Sequence, residues 1–279
     1  MTVADMSKAS IRNYVRELRF IFEYYPDTLP SRLTAEQIER YICYIKQVFN
    51  SGRDKCRGVA AAVSFFFKQV LKKPYALPSK LYPRKGFRLP NVMNHGEVRQ
   101  LLSATTSLKQ KAMIEVFYSS GVRLDEFSHL RLSDIDSGAM RIKVVQGKGK
   151  KDRYTLLSQR ALLTLRDYYR EHRPTTFLFE GKTTGKSMHN RSIQHAVGLC
   201  YKKAGLPQGK FNVHTLRHTF ATHLLDSGCD LHTIKELLGH SKIETTMVYL
   251  HLQTHRCSRI VNPLDQLHNQ QQSNGSGKQ

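Results

Sequence analysis

Four prolines, Pro74, Pro78, Pro83 and Pro90, interrupt this chain within a short span. Each lacks the amide donor that helices and central strands require, and each biases its preceding residue away from helix. Lys80, Arg84, Lys85 and Arg88 lie among them. The stretch therefore reads as an extended basic linker, and the chain must fold as two units joined by it. The expected division is a helical domain over 1–77, the linker over 78–92, a larger domain over 93–268 and a tail over 269–279. The tail is rich in Gln, Asn, Ser and Gly, a composition that predicts disorder.

Apolar periodicity predicts the class of each unit. Ile11, Tyr14, Val15, Leu18, Ile21 and Phe22 recur at helical spacing over 7–25. Thr34 with Gln37 predicts a capping box opening a second helix that carries Ile38, Tyr41, Ile42 and Ile45. A third helix is predicted over 56–71. Beyond Asn94 the pattern stays helical except at 140–157. There Met140, Ile142 and Val144 alternate with Arg141, Lys143 and Val145, a Gly-Lys-Gly turn follows, and Arg153 to Leu157 predicts a returning strand. The fold class expected is mainly α with a small β-hairpin or sheet in the larger domain.

Charge narrows the partner. The 279 residues carry a formal net charge of +22. Both sides of Pro90 are basic, with 17 Lys and Arg against 7 Asp and Glu before it and 27 against 15 after it. This predicts a polyanion partner and favours a two-part clamp around a duplex; composition alone fits a ribosomal-type RNA binder equally well. The five cysteines are scattered with no Cys-x-x-Cys pair, so neither a zinc site nor a disulfide framework is expected, and a reducing cytoplasm is the expected setting. No signal-peptide core and no run of eighteen apolar residues occur, so no membrane partner is expected.

The segment His214-Thr215-Leu216-Arg217-His218, then Leu237-Leu238-Gly239-His240-Ser241, then Tyr249, carries the chemistry. His214 and Arg217 are three apart and share a helical face. A helix over 231–238 should end at Gly239 in a left-handed cap. Ser241 and Glu244 predict a capping box opening the next helix, with His240 in the turn between and Tyr249 about two turns in. Arginine grips two phosphate oxygens through its planar fork, histidine moves protons near neutral pH, and tyrosine can be a covalent nucleophile. Metal binding is not expected here, because no His-Glu-x-x-His or Cys/His cluster is present and Arg217 would repel a cation.

These residues resemble the C-terminal signature of the tyrosine recombinases, the phage integrase family. Two further parts lie upstream in the expected order. Gly121-Val122-Arg123-Leu124-Asp125-Glu126 resembles the first-arginine motif, and Gln146 to Arg153 resembles the hairpin bearing the family's lysine. The resemblance runs from about Ser7 to Leu267 and implies a compact, Xer-like two-domain form. It implies that Tyr249 attacks a phosphodiester to give a 3′-phosphotyrosyl link, that Arg123 and Arg217 bracket one phosphate, and that Lys148 protonates the departing 5′ oxygen. His214 would assist proton transfer and His240 would bond the scissile phosphate. Glu126, at i+3 from Arg123, either holds that guanidinium or forms a surface ion pair. Lys150, Lys151 and Arg153 read as phosphate contacts, with Lys80, Arg84, Lys85 and Arg88. His218, His223, His232, His251 and His255 match no catalytic position and read as structural or DNA-facing.

The resemblance further implies site-specific recombination through a Holliday junction on a double-stranded DNA site. It implies a homotetramer in the synaptic complex, alone or with a second recombinase, no cofactor, and a bacterial cytoplasmic, nucleoid-associated setting. Ile260, Val261, Leu264 and Leu267 recur at helical spacing near the chain's end and must dock on this subunit or a neighbour. Two alternatives stay open at this point. A type IB topoisomerase-like enzyme would relax DNA as a monomer by similar chemistry, and a noncatalytic helical DNA-binding protein would need none of it.

Overall fold

The computed structural model describes residues 6, 8–73, 89–145 and 152–252. The chain divides into two compact units, Met1–Arg88 and Leu89–Gln279. Among the described residues no helix is long and apolar enough to cross a membrane. The expected linker cations Lys80, Arg84, Lys85 and Arg88, the hairpin-tip residues Lys148, Lys150 and Lys151, and the terminal segment from Ile260 lie outside the described residues.

The first unit is helical: α1 (Lys8–Tyr24), α2 (Ala35–Val48) and α3 (Arg53–Phe65), the last running into a π-helical turn at Phe66–Val70. The Thr34–Gln37 capping box forms as the sequence indicates, the Thr34 Oγ1 accepting from the Gln37 amide and the Gln37 side chain accepting from the Thr34 amide. Leu18, Ile21, Ile38, Ile42, Ile45, Val59, Val63 and Phe67 close the core. One α1 position departs from the periodicity. Val15 is exposed, and Glu17 is buried instead, held by Lys55 and Arg16. A buried carboxylate survives there because two cations compensate it.

The second unit holds α4 (His95–Ala104), α5 (Leu108–Ser120), α6 (Leu124–Ser128), α7 (Gln159–His172), α8 (Asn190–Lys203), α9 (Val213–Asp226), α10 (Leu231–Leu238) and the short α11 (Glu244–Met247). Asn94 and Glu97 cap α4 reciprocally. The expected hairpin is two strands of a three-stranded antiparallel sheet: β1 (Ile135–Asp136), β2 (Arg141–Val144) and β3 (Arg153–Leu156) in that order. The register pairs Val144 with Arg153 and Arg141 with Leu156. Ile142 and Val144 point into the core, so the strand alternation predicted from 140–145 decides which face is buried.

Every residue of α5 from Ala112 to Phe117 is buried. It is the central helix, packed against α7, α8 and α9. Phe117, Phe127 and Phe179 stack in series, with centroid spacings of 3.9 and 4.8 Å. The chain leaves α5 through Gly121, which caps it in the left-handed region at φ +60°. A Cβ there would lie 2.4 Å from the Phe220 ring. Glycine thus lets the α5–α6 turn press against α9, which brings Arg123 next to Arg217. Gly121→Ala should destabilise the second unit. The left-handed backbone costs roughly 1–2 kcal/mol and the overpacking about 1–3 kcal/mol more, to be read from urea denaturation followed by circular dichroism.

Candidate active site

Three consecutive carbonyls at the C-terminus of α10 organise the site. The last carbonyls of a helix lack intrahelical partners and carry its negative dipole end. Here each is taken by a different arginine. Arg153 Nε donates to Leu237 O at 2.9 Å, Arg217 Nη2 to Leu238 O at 2.8 Å, and Arg123 Nη2 to Gly239 O at 3.0 Å. Gly239 adopts φ +63°, as its place after Leu238 predicts, and a Cβ on it would lie 2.7 Å from Arg153 Cδ. The three arginines come from the start of α6, from β3 and from α9, so residues far apart in sequence converge on one helix end.

Glu126 completes the frame. Its Oε1 accepts from Arg123 Nη1 at 2.7 Å and Arg153 Nη1 at 2.8 Å, and its Oε2 accepts from Arg153 Nη2 and the Arg123 amide, each at 2.7 Å. The Glu126 side chain is only 6% exposed, so of the two sequence readings the surface ion pair is set aside in favour of a buried clamp. Burial pushes this carboxyl up. The hydrogen bonds from Arg153 and the Arg123 amide, with both guanidinium charges, more than reverse that and hold it down at about 2.

Arg153 needs a correction. The sequence reading groups it with phosphate contacts, but it is 11% exposed and bonds inward to Glu126 bidentately and to Leu237 O. Its bidentate fork suits a carboxylate held below the surface. Being the first residue of β3, it anchors that strand to α6 and to the end of α10.

Arg217 lies on α9 and is 4% exposed. Its Nη1 donates to Gly121 O, and its Nη2 also reaches His240 Nε2 at 3.1 Å. Burial, then the neighbouring Arg123, lowers its pKa to about 9, with Tyr249 and Glu126 opposing the shift. Arg217 stays cationic at neutral pH. Three arginines face one carboxylate, leaving an excess of positive charge in a poorly hydrated place, which favours an anion.

Because arginine only donates, His240 Nε2 accepts from Arg217 and the ring carries its proton on Nδ1, which donates to Thr246 Oγ1 at 2.9 Å. Burial and the charges of Arg217, Arg123 and Arg153 press His240 down to about 3, so it is neutral. His214 opens α9, whose N-cap Asn212 accepts from the His214 and Thr215 amides. His214 remains exposed, and partial burial with the Arg217 and Arg123 charges lowers its pKa.

Tyr249 is 3% exposed, among Phe220, Ala221, Ile234 and Leu238. Its surroundings correct two expectations. Ser241 does not cap the following helix: α11 begins after Ile243, with no side-chain cap. Tyr249 is also not two turns into an α-helix but in a 3₁₀ turn, Val248–Leu252, that follows the single turn of α11. The tighter coil brings the phenol back over α9. There Tyr249 Oη lies 3.1 Å from His218 Nδ1, and the His240 ring lies nearly parallel to Tyr249 at 6.4 Å. His218 is therefore part of the site. Sequence reasoning missed it: its i,i+4 spacing from His214 puts it on that residue's helical face, but only the return of the 3₁₀ turn brings Tyr249 to it.

The described geometry thus collects Arg123, Glu126, Arg153, Arg217, His240, His218 and Tyr249 in one place, with His214 at its edge. Residues 91–256 match the phage integrase family. The chain belongs to the phage integrase family. It is 30% identical over 267 residues to the tyrosine recombinase XerD of Listeria monocytogenes serotype 4b (strain F2365), covering 88% of this chain and 89% of that protein. Its fold is that of XerH site-specific recombinase bound to palindromic difH substrate in a post-cleavage complex, with TM-score 0.75, 21% identity, and coverage of 89% of this chain and 78% of that one. The fold is shared too by a lambda integrase tetramer bound to a Holliday junction, with TM-score 0.71, 15% identity, and coverage of 89% and 73%. The chain is thus an integrase-type site-specific DNA recombinase.

The Glu126 clamp has a pH signature. A carboxyl held below its unfolded value contributes stability that is present above about 4.5 and lost as pH falls toward about 2. Glu126→Gln should remove this pH dependence from urea denaturation curves taken between those limits. At neutral pH it should destabilise the second unit by roughly 3–5 kcal/mol, because two part-buried guanidinium groups lose their carboxylate.

Proposed function

We propose that Tyr249 is the nucleophile of this recombinase and that Arg123 and Arg217 bind the scissile phosphate. The observation that carries this is the convergence of the part-buried Arg123 and buried Arg217 guanidinium groups and the Tyr249 hydroxyl around the end of α10. Among the described residues, the bonds of Arg123 use two of its five N–H donors and those of Arg217 three, so donors remain for phosphate oxygens. A phosphate there meets fixed positive charge that strengthens as negative charge grows in the pentacoordinate transition state.

Cleavage then proceeds by in-line attack. The Tyr249 oxygen bonds to phosphorus and the bond to the 5′ oxygen breaks, leaving a 3′-phosphotyrosyl link. Lys148, between β2 and β3 in the sequence, supplies the proton to the 5′ oxygen. A 5′ hydroxyl from a second duplex reverses the step and rejoins the strands. His240 acts through its Nε2. A bound phosphate would compete for Arg217 and favour a protonated imidazole, which can donate to that phosphate.

The partner is double-stranded DNA, held by both basic units and by Lys80, Arg84, Lys85, Arg88, Lys150 and Lys151. The assembly is a homotetramer on two recombination sites, alone or with a second recombinase, acting at the nucleoid. The likeness in fold to a lambda integrase tetramer on a Holliday junction supports this reading over the topoisomerase alternative. The DNA held covalently by the protein in cells, recovered and sequenced, identifies the target site.

Two variants test the assignment on a nicked suicide duplex carrying that site. Tyr249→Phe should bind the duplex normally and form no covalent adduct on a denaturing gel. An adduct persisting in this variant would move the nucleophile elsewhere. Arg217→Lys keeps the charge and loses the fork. It should slow adduct formation by roughly 10²–10³-fold with little change in DNA affinity by gel shift.

A further inference from the structure

We propose that His218 is the group that takes the proton from Tyr249 during strand cleavage and returns it during ligation. The inference rests on the reading of Tyr249 as nucleophile and adds the missing base. The His218 Nδ1–Tyr249 Oη distance is 3.1 Å, within direct proton-transfer reach, and the rings sit 5.8 Å apart at 49°. The phenol is buried, so bulk water is a poor competitor for its proton.

The other histidines are less well placed for this step. His240 has its Nε2 on Arg217 and its Nδ1 on Thr246. His214 is exposed at the first turn of α9, one helical turn from His218. His218 alone among the three is in hydrogen-bond contact with the tyrosine oxygen among the described residues.

A neutral phenol donates, so Nδ1 must be the acceptor and the ring proton sits on Nε2. The surroundings enforce that neutral form. Burial, followed by His214 and Arg217, lowers His218 to about 4. The groups that face it are His214 and Arg217 from α9, His240 from the turn after α10, and Tyr249 itself. Burial also raises the Tyr249 phenol, with Arg217 and Arg123 opposing. Without DNA the proton therefore stays on tyrosine.

A phosphodiester between Arg123 and Arg217 changes this balance. It compensates the cationic charge that disfavours imidazolium, so His218 becomes more basic once the substrate is seated. The step balances: the Tyr249 oxygen bonds to phosphorus, the P–O5′ bond breaks, the phenol proton passes to His218 Nδ1, and the 5′ oxygen takes its proton from the acid. In ligation the incoming 5′ hydroxyl loses a proton to that acid's conjugate base, and His218 returns its own to the tyrosine oxygen. Nucleophile activation is thereby tied to phosphate binding, which guards an unoccupied site against stray attack.

Adduct formation on the nicked site duplex tests the assignment with full-length protein. His218→Asn keeps an acceptor near Nδ1 but takes no proton. It should bind DNA and melt like the wild type and cleave roughly 10²–10⁴-fold more slowly. Its rate should rise with pH as hydroxide replaces the base. His218→Ala should be slow as well and should regain cleavage with added imidazole. A duplex with sulfur in place of the scissile 5′ oxygen needs no proton on its leaving group, so it should not rescue either variant. Wild-type cleavage by His218→Asn would overturn the proposal, as would rescue by the sulfur substrate, which would put His218 on the leaving-group side. The Tyr249→Phe control separates the two readings. If that variant still forms an adduct, the nucleophile assignment fails. If it is inactive while His218→Asn is normal, only the His218 proposal fails.

Discussion

Everything in the site depends on the unpaired carbonyls at the end of α10. A helix C-terminus normally finds water or a cap for these groups. In this protein Leu237, Leu238 and Gly239 each receive an arginine instead. The helix end gains its missing donors and favourable charge for its dipole. Each arginine gains a fixed position, which is the harder requirement. Arginine carries roughly 2 kcal/mol of rotamer entropy, and a phosphate site built from unanchored side chains would have to order them during the reaction. Here that ordering is completed in folding.

The arrangement also solves a charge problem. Three guanidinium groups packed together repel one another, and Arg217 is almost wholly buried. Glu126 offsets part of this by accepting four hydrogen bonds from Arg123 and Arg153. It does not neutralise all of it, and the proposed phosphate site rests on the remainder. Full neutralisation would give a more stable enzyme with a weaker anion site. Burial, together with that residual charge, holds His218 and His240 neutral, so the packing and electrostatics of the arginine cluster also set the protonation of the groups beside the tyrosine.

Local signals in the sequence were legible wherever local chemistry decides the outcome. The Thr34–Gln37 box forms because its partners are three residues apart. Gly239 ends α10 because a left-handed residue is needed after Leu238. The Ser241–Glu244 box fails because the chain after His240 is instead held by the His240–Thr246 bond and the burial of Thr246 and Tyr249, which start α11 two residues later than a Ser241 cap would. Val15 is exposed for a similar reason: α1 turns Glu17 inward to meet Lys55, a partner in another helix.

By itself, the sequence determined the mainly helical class, the break at the prolines, the cationic character of both halves, and the identities of Arg123, Arg217, His240 and Tyr249 as candidates, because these follow from periodicity, backbone chemistry and ordered motifs. Tertiary structure alone decided that Arg153 belongs to the buried clamp and not to the DNA-facing surface, and that His218 meets the tyrosine hydroxyl. Both depend on which side chains approach from distant segments. Arg153 lies 27 residues from Glu126 and His218 lies 31 from Tyr249. No spacing rule reaches that far, since such contacts are made by packing a strand against a helix end and by folding a 3₁₀ turn back over α9.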